Sequence, residues 1–482
     1  MPPSAPACSP FDTRSASTPP RSYRTIALIV ACAIFMEQLD ATVLATALPA
    51  MARDFHVAAP AMSVALTSYL LALAVLIPTS GVIADRFGSR RVMCASIVVF
   101  MLGSVACSLV HSIPGIVAAR LLQGMGGAMM TPVGRLIILS TVDRKDLVSA
   151  MSWALVPAFL GPILGPPLGG LIVTHLDWRW IFYINLPIGL LGLYLVWKFI
   201  PDVCRPRGAH PFDLSGFILC GISSSALLFG LEWFGPDHPS QLSMLLLACG
   251  VITAGLYVRH ARRHPHPLLD LGLLKIDSFR LSVISGSLMR ITQGAQPFLL
   301  PLLFQVGFGY SAVRSGELVL ATAFGAVVTR SVTPRLLRLT GFRNGLIGNG
   351  VLASLGYAVC AIFQPDWPMW LIFGSLFCCG AFMSFQFGAY NTIAYEAVPM
   401  EQMSAANSFY TMLQQLMLSV GVCVGALLLR LTMTARDHVQ PQPSDFSITF
   451  VAITLISLSS TWWHRAFAAD AGAELSGHRL RR

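Results

Sequence analysis

The chain has 482 residues, of which 55% are hydrophobic and only 11% are charged. Soluble domains carry about 25% charged residues, so this composition excludes an ordinary soluble protein and predicts an integral membrane protein. The net charge of +10 does not indicate nucleic-acid binding, because the basic residues lie in short loops between apolar runs and form no continuous basic stretch.

Fourteen apolar segments are long enough to cross a bilayer as helices. A span needs about 20 mostly apolar residues. Helices are predicted because a helix pairs its own backbone N–H and C=O groups, for which lipid offers no hydrogen-bond partner. Residues 1–24, rich in Pro, Ser and Ala, predict a disordered tail before the first span. The predicted spans are 25–50, 62–84, 91–111, 113–140, 148–175, 179–200, 214–232, 240–259, 280–306, 315–335, 343–364, 367–395, 403–430 and 446–465.

The distribution of Lys and Arg predicts the orientation of these spans. If both ends of the chain are cytoplasmic, cytoplasmic segments hold roughly 23 basic residues and external segments hold about five. Two six-helix halves fit the parallel-repeat plan of many transporters. The predicted parts are a cytoplasmic tail (1–24), an N-terminal half (25–200), cytoplasmic linkers with two extra spans (201–279), a C-terminal half (280–467) and a second cytoplasmic tail (468–482).

The loop between the second and third spans, residues 81–91, carries the most specific pattern in the sequence. Its glycines permit a close helix approach and a tight turn, and its charged residues can form charge-assisted hydrogen bonds across helix ends. The equivalent loop of the second half, 338–343, keeps Gly followed by Arg but lacks the Asp-Arg pair, so we interpret it as a degenerate copy. The predicted cytoplasmic gate residues are Gly81, Asp85, Arg86, Gly88 and Arg90.

Two carboxylates in the first span predict a proton-coupling site. Glu37 and Asp40 are three residues apart and therefore lie on one helical face. A carboxylate at mid-helix costs roughly 2.5–3.5 kcal/mol on insertion scales, so it normally faces a cavity or a partner. Arg120, in the fourth span, lies within roughly one turn of the depth of Asp40. We predict that the three form a proton-linked network that responds to water access, with a static buried ion pair as the alternative.

Glycines recur every fourth residue in the fifth span and are interleaved with prolines. A stripe of small residues allows close helix contact, and prolines weaken the backbone hydrogen-bond ladder and permit bending. Such a helix suits motion between two halves, while packing without a gating role is the alternative. The residues are Gly161, Pro162, Gly165, Pro166, Gly169 and Gly170.

Polar and small residues in otherwise apolar spans are candidates for lining a substrate cavity. For those in the second half, structural pairing or simple hydrogen bonding between helices remains open. The candidates are Gln123, Gly124, Arg290, Gln296, Asn391 and Gln414. The histidines at 260, 264 and 266 favour a solvated basic linker over a metal site, and the cysteines lack metal-ligand spacing. We therefore predict no metal, no cofactor and no catalytic site.

These motifs together resemble those of the major facilitator superfamily, and the resemblance covers nearly the whole chain. Residues 81–91 are similar to its signature loop. Residues 39–49 resemble the first-helix motif of fourteen-helix drug:proton antiporters, and 120–124 resemble the fourth-helix motif linked to proton coupling. Residues 161–170 resemble the fifth-helix antiporter motif. Residues 178–187 (Trp-Arg-Trp-Ile-Phe-Tyr-Ile-Asn-Leu-Pro) are typical of the EmrB/QacA-like branch.

The resemblance implies an all-α major facilitator fold and a proton-coupled antiporter that exports small amphipathic compounds or drugs across the bacterial inner membrane. Its expected partners are the substrate, protons and lipid, and it would work as a monomer, with accessory export proteins left open. An exporter of a small metabolite or anion, or a non-transporting member of the fold, is the alternative. An ATP-driven pump and a membrane enzyme are not favoured, because no lysine follows glycine and neither H-E-x-x-H nor G-x-S-x-G occurs.

Overall fold

The computed structural model describes residues 23–143, 146–201, 212–234 and 240–478, and this part of the chain is helical without strands. The predicted tail falls outside it, apart from its last two residues. The membrane-length helices are α1 (Tyr23–Asp54), α2 (Ala59–Phe87), α3 (Ser89–Leu109), α4 (Ile113–Thr141), α5 (Leu147–His175), α6 (Trp180–Phe199), α7 (Leu214–Glu232), α8 (Ser240–Ala261), α9 (Asp277–Leu302), α10 (312–340), α11 (342–361), α12 (Met369–Ile393), α13 (Met403–Ala435) and α14 (Pro443–His464).

The count of about fourteen spans is confirmed. Eleven helices of the described chain are long and apolar enough to cross a membrane, and the longest of them, Ala312–Ala361, bends at Gly341 into α10 and α11. Helices α4 and α9 also have membrane length but are not among the eleven. Each of these two helices carries a buried arginine, Arg120 or Arg290.

The two halves share a backbone turn at equivalent places. Gly88, between α2 and α3, has a φ of 91°, and Gly341, between α10 and α11, has a φ of 71°. A side chain is disfavoured at both positions, because L-residues rarely adopt this left-handed region. The turn predicted at Gly88 is therefore present, and the loop interpreted as its degenerate copy makes the same kind of turn.

Helix packing separates two halves and an accessory pair. In the first half α1 packs along α5 and α3 along α4, and in the second half α9 packs along α13 and α12 packs against the α10–α11 pair. Across the halves, α5 contacts α10 and α2 contacts α13. The two extra helices, α7 and α8, pack on each other, and α7 also contacts α2 and α13. The accessory pair therefore lies beside one of the two seams between the halves.

The halves are joined toward one side of the bundle and separated on the other. We call the side where α1 begins and α14 ends the terminal side, and the other the opposite side. Toward the opposite side Gln305 donates to the backbone oxygen of Thr46 (2.9 Å), and Ser419 donates to that of Thr67 (3.1 Å). On the terminal side a cavity of about 820 Å³ is lined by both halves and reaches Asp85. The structure is thus open toward the terminal side.

The segment between α8 and α9, predicted as a solvated linker, is held in place by hydrogen bonds. The backbone N–H of Leu268 donates to the Asp213 carboxylate (3.1 Å), and that of Leu269 donates to the Tyr257 hydroxyl (2.8 Å). A short 3-10 helix, Leu271–Lys275, follows. Its leucines pack against the helix ends, while its basic residues Arg262, Arg263 and Lys275 are exposed.

Candidate functional site

Asp40 and Arg120, two of the residues predicted to form a proton-linked network, form an ion pair inside the first half. Arg120 Nη1 lies 2.7 Å from Asp40 Oδ2, and the two residues are 0% and 3% exposed. Arg120 also donates from Nε to the backbone oxygen of Ala65 (3.0 Å), and its guanidinium lies 4.3 Å from the centre of the Tyr69 ring. The pair is therefore held by several groups at once, and removing either charge would leave the other buried alone.

Two amides complete the surroundings of Asp40. Gln123 Nε2 and Asn185 Nδ2 each donate to Asp40 Oδ1 at 2.8 Å, and both amides also donate to the hydroxyl of Ser104. The network joins α1, α3, α4 and α6. Asn185 was not among the predicted site residues, although it lies within the 178–187 motif. An asparagine inside a predicted span was the available signal, because polar groups in a span need partners.

Glu37 lies outside this network. It accepts a hydrogen bond from Thr131 Oγ1 (2.9 Å) and lines the cavity between the halves, together with Arg135. The structure therefore separates the three residues that the sequence grouped for proton coupling. Asp40 and Arg120 lie inside the first half, whereas Glu37 lies at the wall of the cavity.

The second half places a buried arginine behind the same cavity. Arg290 is 2% exposed, and its Nη2 lies 3.5 Å from Asn391 Oδ1 and 3.3 Å from Gln414 Oε1. Its guanidinium lies 4.7 Å from the centre of the Tyr410 ring, and among the described residues it has no carboxylate partner. Asn391 and Gln414 line the cavity. The cavity thus has a carboxylate in one wall and an arginine behind the other.

The other predicted cavity residues lie elsewhere. Gln123 belongs to the Asp40 network, and Gly124 lies against α2, where an added Cβ would come within 2.6 Å of the Ala72 Cβ. Gln296 lies 3.5 Å from Cys379 Sγ and lines a smaller cavity of about 300 Å³ between the halves. Pro162 and Pro166 of α5 line this smaller cavity as well.

The glycines of α5 serve two different contacts. Gly161, Gly165 and Gly169 face α1, where an added Cβ would lie 2.7 Å from Gln38 Cβ, 2.0 Å from Thr42 Oγ1 and 2.1 Å from Thr46 Oγ1, respectively. Gly170 instead faces the second half, where a Cβ would lie 2.4 Å from the backbone oxygen of Ala312. The motif therefore packs α5 within its own half and also forms part of the closed seam.

Two of the five predicted gate residues lie at the open end of the cavity. Gly81 and Asp85 line its mouth, and a Cβ on Gly81 would meet nothing within 4 Å. The close helix approach expected at Gly81 is thus not made in this conformation. Between the described parts of the two halves, no hydrogen bond or ion pair involves Asp85, Arg86 or Arg90. This agrees with a terminal side that is open.

One group of side chains outside the cavity has ligand types that metals use. Asp213, His260 and His264 offer ligand atoms that lie within 4.8 Å of one another. However, the Asp213 carboxylate already accepts hydrogen bonds from His260 and from the backbone N–H groups of Gly216 and Leu268. Burial would raise the pKa of Asp213, but these hydrogen bonds outweigh it, and the pKa lies below its ordinary value. The contacts account for the group as a helix cap that anchors the linker.

Comparison with known proteins gives the family. The family model described as Major Facilitator Superfamily matches residues 30–422. The protein named "Probable transport protein HsrA" from Haemophilus influenzae is 34% identical over 92% of this chain and 96% of its own length. The protein named "Putative multidrug resistance protein MdtD" from Citrobacter koseri is 34% identical over 91% of this chain and 93% of its own length.

Solved structures agree on the fold. A bacterial homologue of the human lysosomal transporter Spinster, in an inward-facing and unoccupied conformation, aligns with a TM-score of 0.61 at 14% identity and covers 96% of this chain and 100% of its own. The xylose transporter XylE from E. coli, in a partially occluded inward-open conformation, aligns with a TM-score of 0.60 at 12% identity, covering 93% and 100%. With the family match over most of the sequence, these findings show that the chain is a multi-pass membrane transporter of the Major Facilitator Superfamily.

Proposed function

We propose that this transporter is a proton-coupled antiporter that exports small amphipathic compounds from the cytoplasm by alternating access. The observation that carries the proposal is the arrangement of two carboxylates on α1. Asp40 is buried against Arg120, while Glu37, three residues earlier, lines the cavity between the halves. A proton site and a substrate cavity that share one helix can be coupled by a small movement of that helix. The names of the curated relatives support export of drug-like compounds.

The excess of basic residues supports the assignment of the terminal side to the cytoplasm, with the protein in the inner membrane. The described conformation is then the inward-open one, in which a substrate enters from the cytoplasm or the inner leaflet. In the outward-open conformation the seam formed by α5 and α10 separates, and Asp85, Arg86 and Arg90 close the cytoplasmic side. Protons from outside then reach the Asp40 network, and substrate leaves.

The ion pair gives the proposed coupling step a chemical basis. Protonation of Asp40 removes the charge that holds Arg120, while Gln123 and Asn185 can still hydrogen bond to the neutral carboxyl group. Arg120 would then need another acceptor, which favours rearrangement of α4 against α1. One proton at Asp40 therefore changes the relative stability of the two conformations, which is what coupling requires.

Purified protein in liposomes tests the function. With the interior acidic relative to the medium, and the protein inserted with its cytoplasmic side outward, an exchanged substrate accumulates inside. Ethidium is a suitable first probe of an amphipathic cation. Accumulation that is abolished by collapsing the pH gradient supports antiport, whereas accumulation independent of that gradient contradicts proton coupling.

Arg290 favours a second candidate function, export of compounds that carry an anionic group. Glu37 is the fifteenth residue of α1 and Arg290 is the fourteenth of α9, so opposite charges occupy equivalent depths in the two halves. Because the amide oxygens of Asn391 and Gln414 face Arg290, their N–H₂ groups remain to donate to a ligand in the cavity. A carboxylate is the chemical group that such donors recognise.

A matched set of small probes separates the two candidates. Phenylalanine amide is a cation and N-acetylphenylalanine is an anion, and the two share one aromatic side chain. If cations are the substrates, phenylalanine amide should raise the melting temperature of wild type but not that of Glu37→Gln. If anions are the substrates, N-acetylphenylalanine should raise the melting temperature of wild type but not that of Arg290→Gln.

A further inference from the structure

A third buried carboxylate lies on the accessory helix α7, away from both the Asp40 network and the cavity. Glu232 is the last residue of α7 and is 3% exposed. Its Oε1 forms a hydrogen bond with the Ser63 hydroxyl of α2, and its Oε2 accepts one from the Cys423 thiol of α13, with an S···O distance of 3.2 Å. Since α2 belongs to the first half and α13 to the second, this single side chain bridges the two halves on the opposite side.

The partners of this carboxyl group are neutral. In its protonated form the carboxyl O–H donates to Ser63 Oγ, whose own hydrogen goes to the backbone oxygen of Pro60 (2.8 Å), while the other carboxyl oxygen accepts from Cys423. From α2 it faces Ser63 and Thr67, whereas Arg259 and His260 of α8 lie in the last turn of that helix, at its other end. From α13 it faces Cys423 and Arg430, but the Arg430 guanidinium donates to the backbone oxygen of Glu232 (2.6 Å), and no ion pair with the carboxylate is formed. The nearby Arg430 charge offsets part of the cost of burying a carboxylate, but without a direct ion pair the cost remains large, so a protonated group suits this place better.

Arg430 offers a partner for the ionised form. Its Nε is buried and has no hydrogen-bond partner among the described residues. When α2 and α13 separate, the bridge from Ser63 to Cys423 breaks and water from the opposite side reaches Glu232. The carboxyl group can then lose its proton to that water, and the resulting carboxylate can pair with Arg430 on the neighbouring helix.

We propose that Glu232 is a second proton-binding site of the transporter, whose protonated form holds α2 and α13 together on the opposite side and whose deprotonation accompanies opening there. The accessory helix α7 thereby holds α2 and α13 together, and an acidic exterior favours closure of the opposite side. The inference rests on the proposed alternating access, but it does not depend on protons driving export at Asp40.

Labelling of Cys423 tests the proposal, because this thiol is fully buried while the seam is closed. In a background whose other cysteines are replaced by alanine, intact cells receive a membrane-impermeant maleimide at external pH values from 5.5 to 8. Each rate is divided by that of the unfolded protein at the same pH, which removes the ordinary ionisation of the thiol. One proton released on opening shifts the equilibrium by at most about tenfold per pH unit.

We expect the corrected rate to rise with pH in wild type and to stay low at every pH in Glu232→Gln, which mimics the protonated form. The matched control Glu317→Gln, on the exposed surface of α10, should follow wild type. If Glu232→Gln follows the wild-type pH curve, or if wild type has no corrected pH dependence, the proposal is wrong.

A second variant keeps the proposal testable if Glu232→Gln does not fold. Ser63→Ala retains the carboxyl group but removes one half of the bridge, so its corrected rate at pH 5.5 should rise several-fold above wild type. An unchanged rate contradicts the bridge. Because labelling measures opening alone, a failure of proton-driven export would leave this pH dependence intact, and the two failures can be told apart.

Discussion

Replacing Gly170 with alanine should push the transporter toward the outward-open conformation. In the closed seam a Cβ at Gly170 would lie 2.4 Å from the backbone oxygen of Ala312. Across the same seam, a Cβ at Gly316 would lie 2.3 Å from the backbone oxygen of Pro166. Carbon–oxygen contacts normally span about 3.3–3.6 Å. Because the obstructing atoms belong to the backbone, no side-chain rotation relieves the overlap, and the seam must widen by about 1 Å.

The size of the effect follows from overpacking. An extra methyl group in a tightly packed contact costs about 1–3 kcal/mol. The cost applies to the conformation in which α5 and α10 touch, and it disappears when they separate. The inward-open to outward-open equilibrium should therefore shift by roughly 5- to 150-fold toward the outward-open form.

Spin-label distances measure this shift directly. Leu176 and Asp366 are exposed on the opposite side, one in each half, and cysteines at these positions in a cysteine-free background carry the labels. Gly170→Ala should move population to the longer distance. Gly255→Ala is the matched control, since an added Cβ there meets nothing within 4 Å, and it should leave the distribution unchanged. A Gly170→Ala distribution identical to that of the control would refute the reasoning.

Three further substitutions test parts of the structure. Arg120→Lys cannot keep both the Asp40 and Ala65 contacts and should lower the free energy of unfolding by about 2–5 kcal/mol, which a lower melting temperature would show. The control Arg280→Lys, in an exposed ion pair, should change the melting temperature little. Gly88→Ala forces a side chain to a φ of 91° and should cost about 1–2 kcal/mol by the same measurement. The pKa of Asp213 lies below its ordinary value of 3.8, so the ionised carboxylate stabilises the linker at neutral pH and this stabilisation is lost as pH falls below 3.8. Backbone hydrogen exchange of residues 262–270 in wild type should therefore approach that of Asp213→Asn only below this pH.

The spans and turns could be predicted because lipid leaves the backbone few choices. Long apolar runs must be helical to satisfy their own hydrogen bonds, so the number of spans follows from the sequence alone. The turns at Gly88 and Gly341 were visible because their left-handed backbone favours glycine, and both loops retain that glycine although the second has lost its Asp-Arg pair.

The separation of Glu37 from Asp40 could not be predicted from their spacing. Residues three apart on a helix share one side only broadly, because 3.6 residues per turn leave them about 60° apart. That angle is enough for Asp40 to face Arg120 while Glu37 faces the cavity. Which of the two carboxylates faces Arg120 depends on the rotation of α1 against α4, and tertiary packing sets this rotation.

Contacts between residues far apart in the sequence could not be predicted either. Asn185 reaches Asp40 from α6, and Asp213 holds the backbone of Leu268 beyond the end of α8. Glu232 similarly meets Ser63 and Cys423 only when three helices are assembled. Each of these polar residues was visible in the sequence, but its partner was not, because helix neighbours in a bundle are not determined by local pattern.

Proton movement on substrate addition tests whether transport is coupled to protons at Asp40. Everted membrane vesicles are acidified inside, a pH-sensitive dye follows the gradient, and ethidium or N-acetylphenylalanine is added to wild type, Asp40→Asn and the exposed control Asp177→Asn at matched expression. We expect wild type and Asp177→Asn to release protons when a substrate is added, and Asp40→Asn to release none. Equal proton release from Asp40→Asn and wild type would contradict the assignment of Asp40 as the coupling residue.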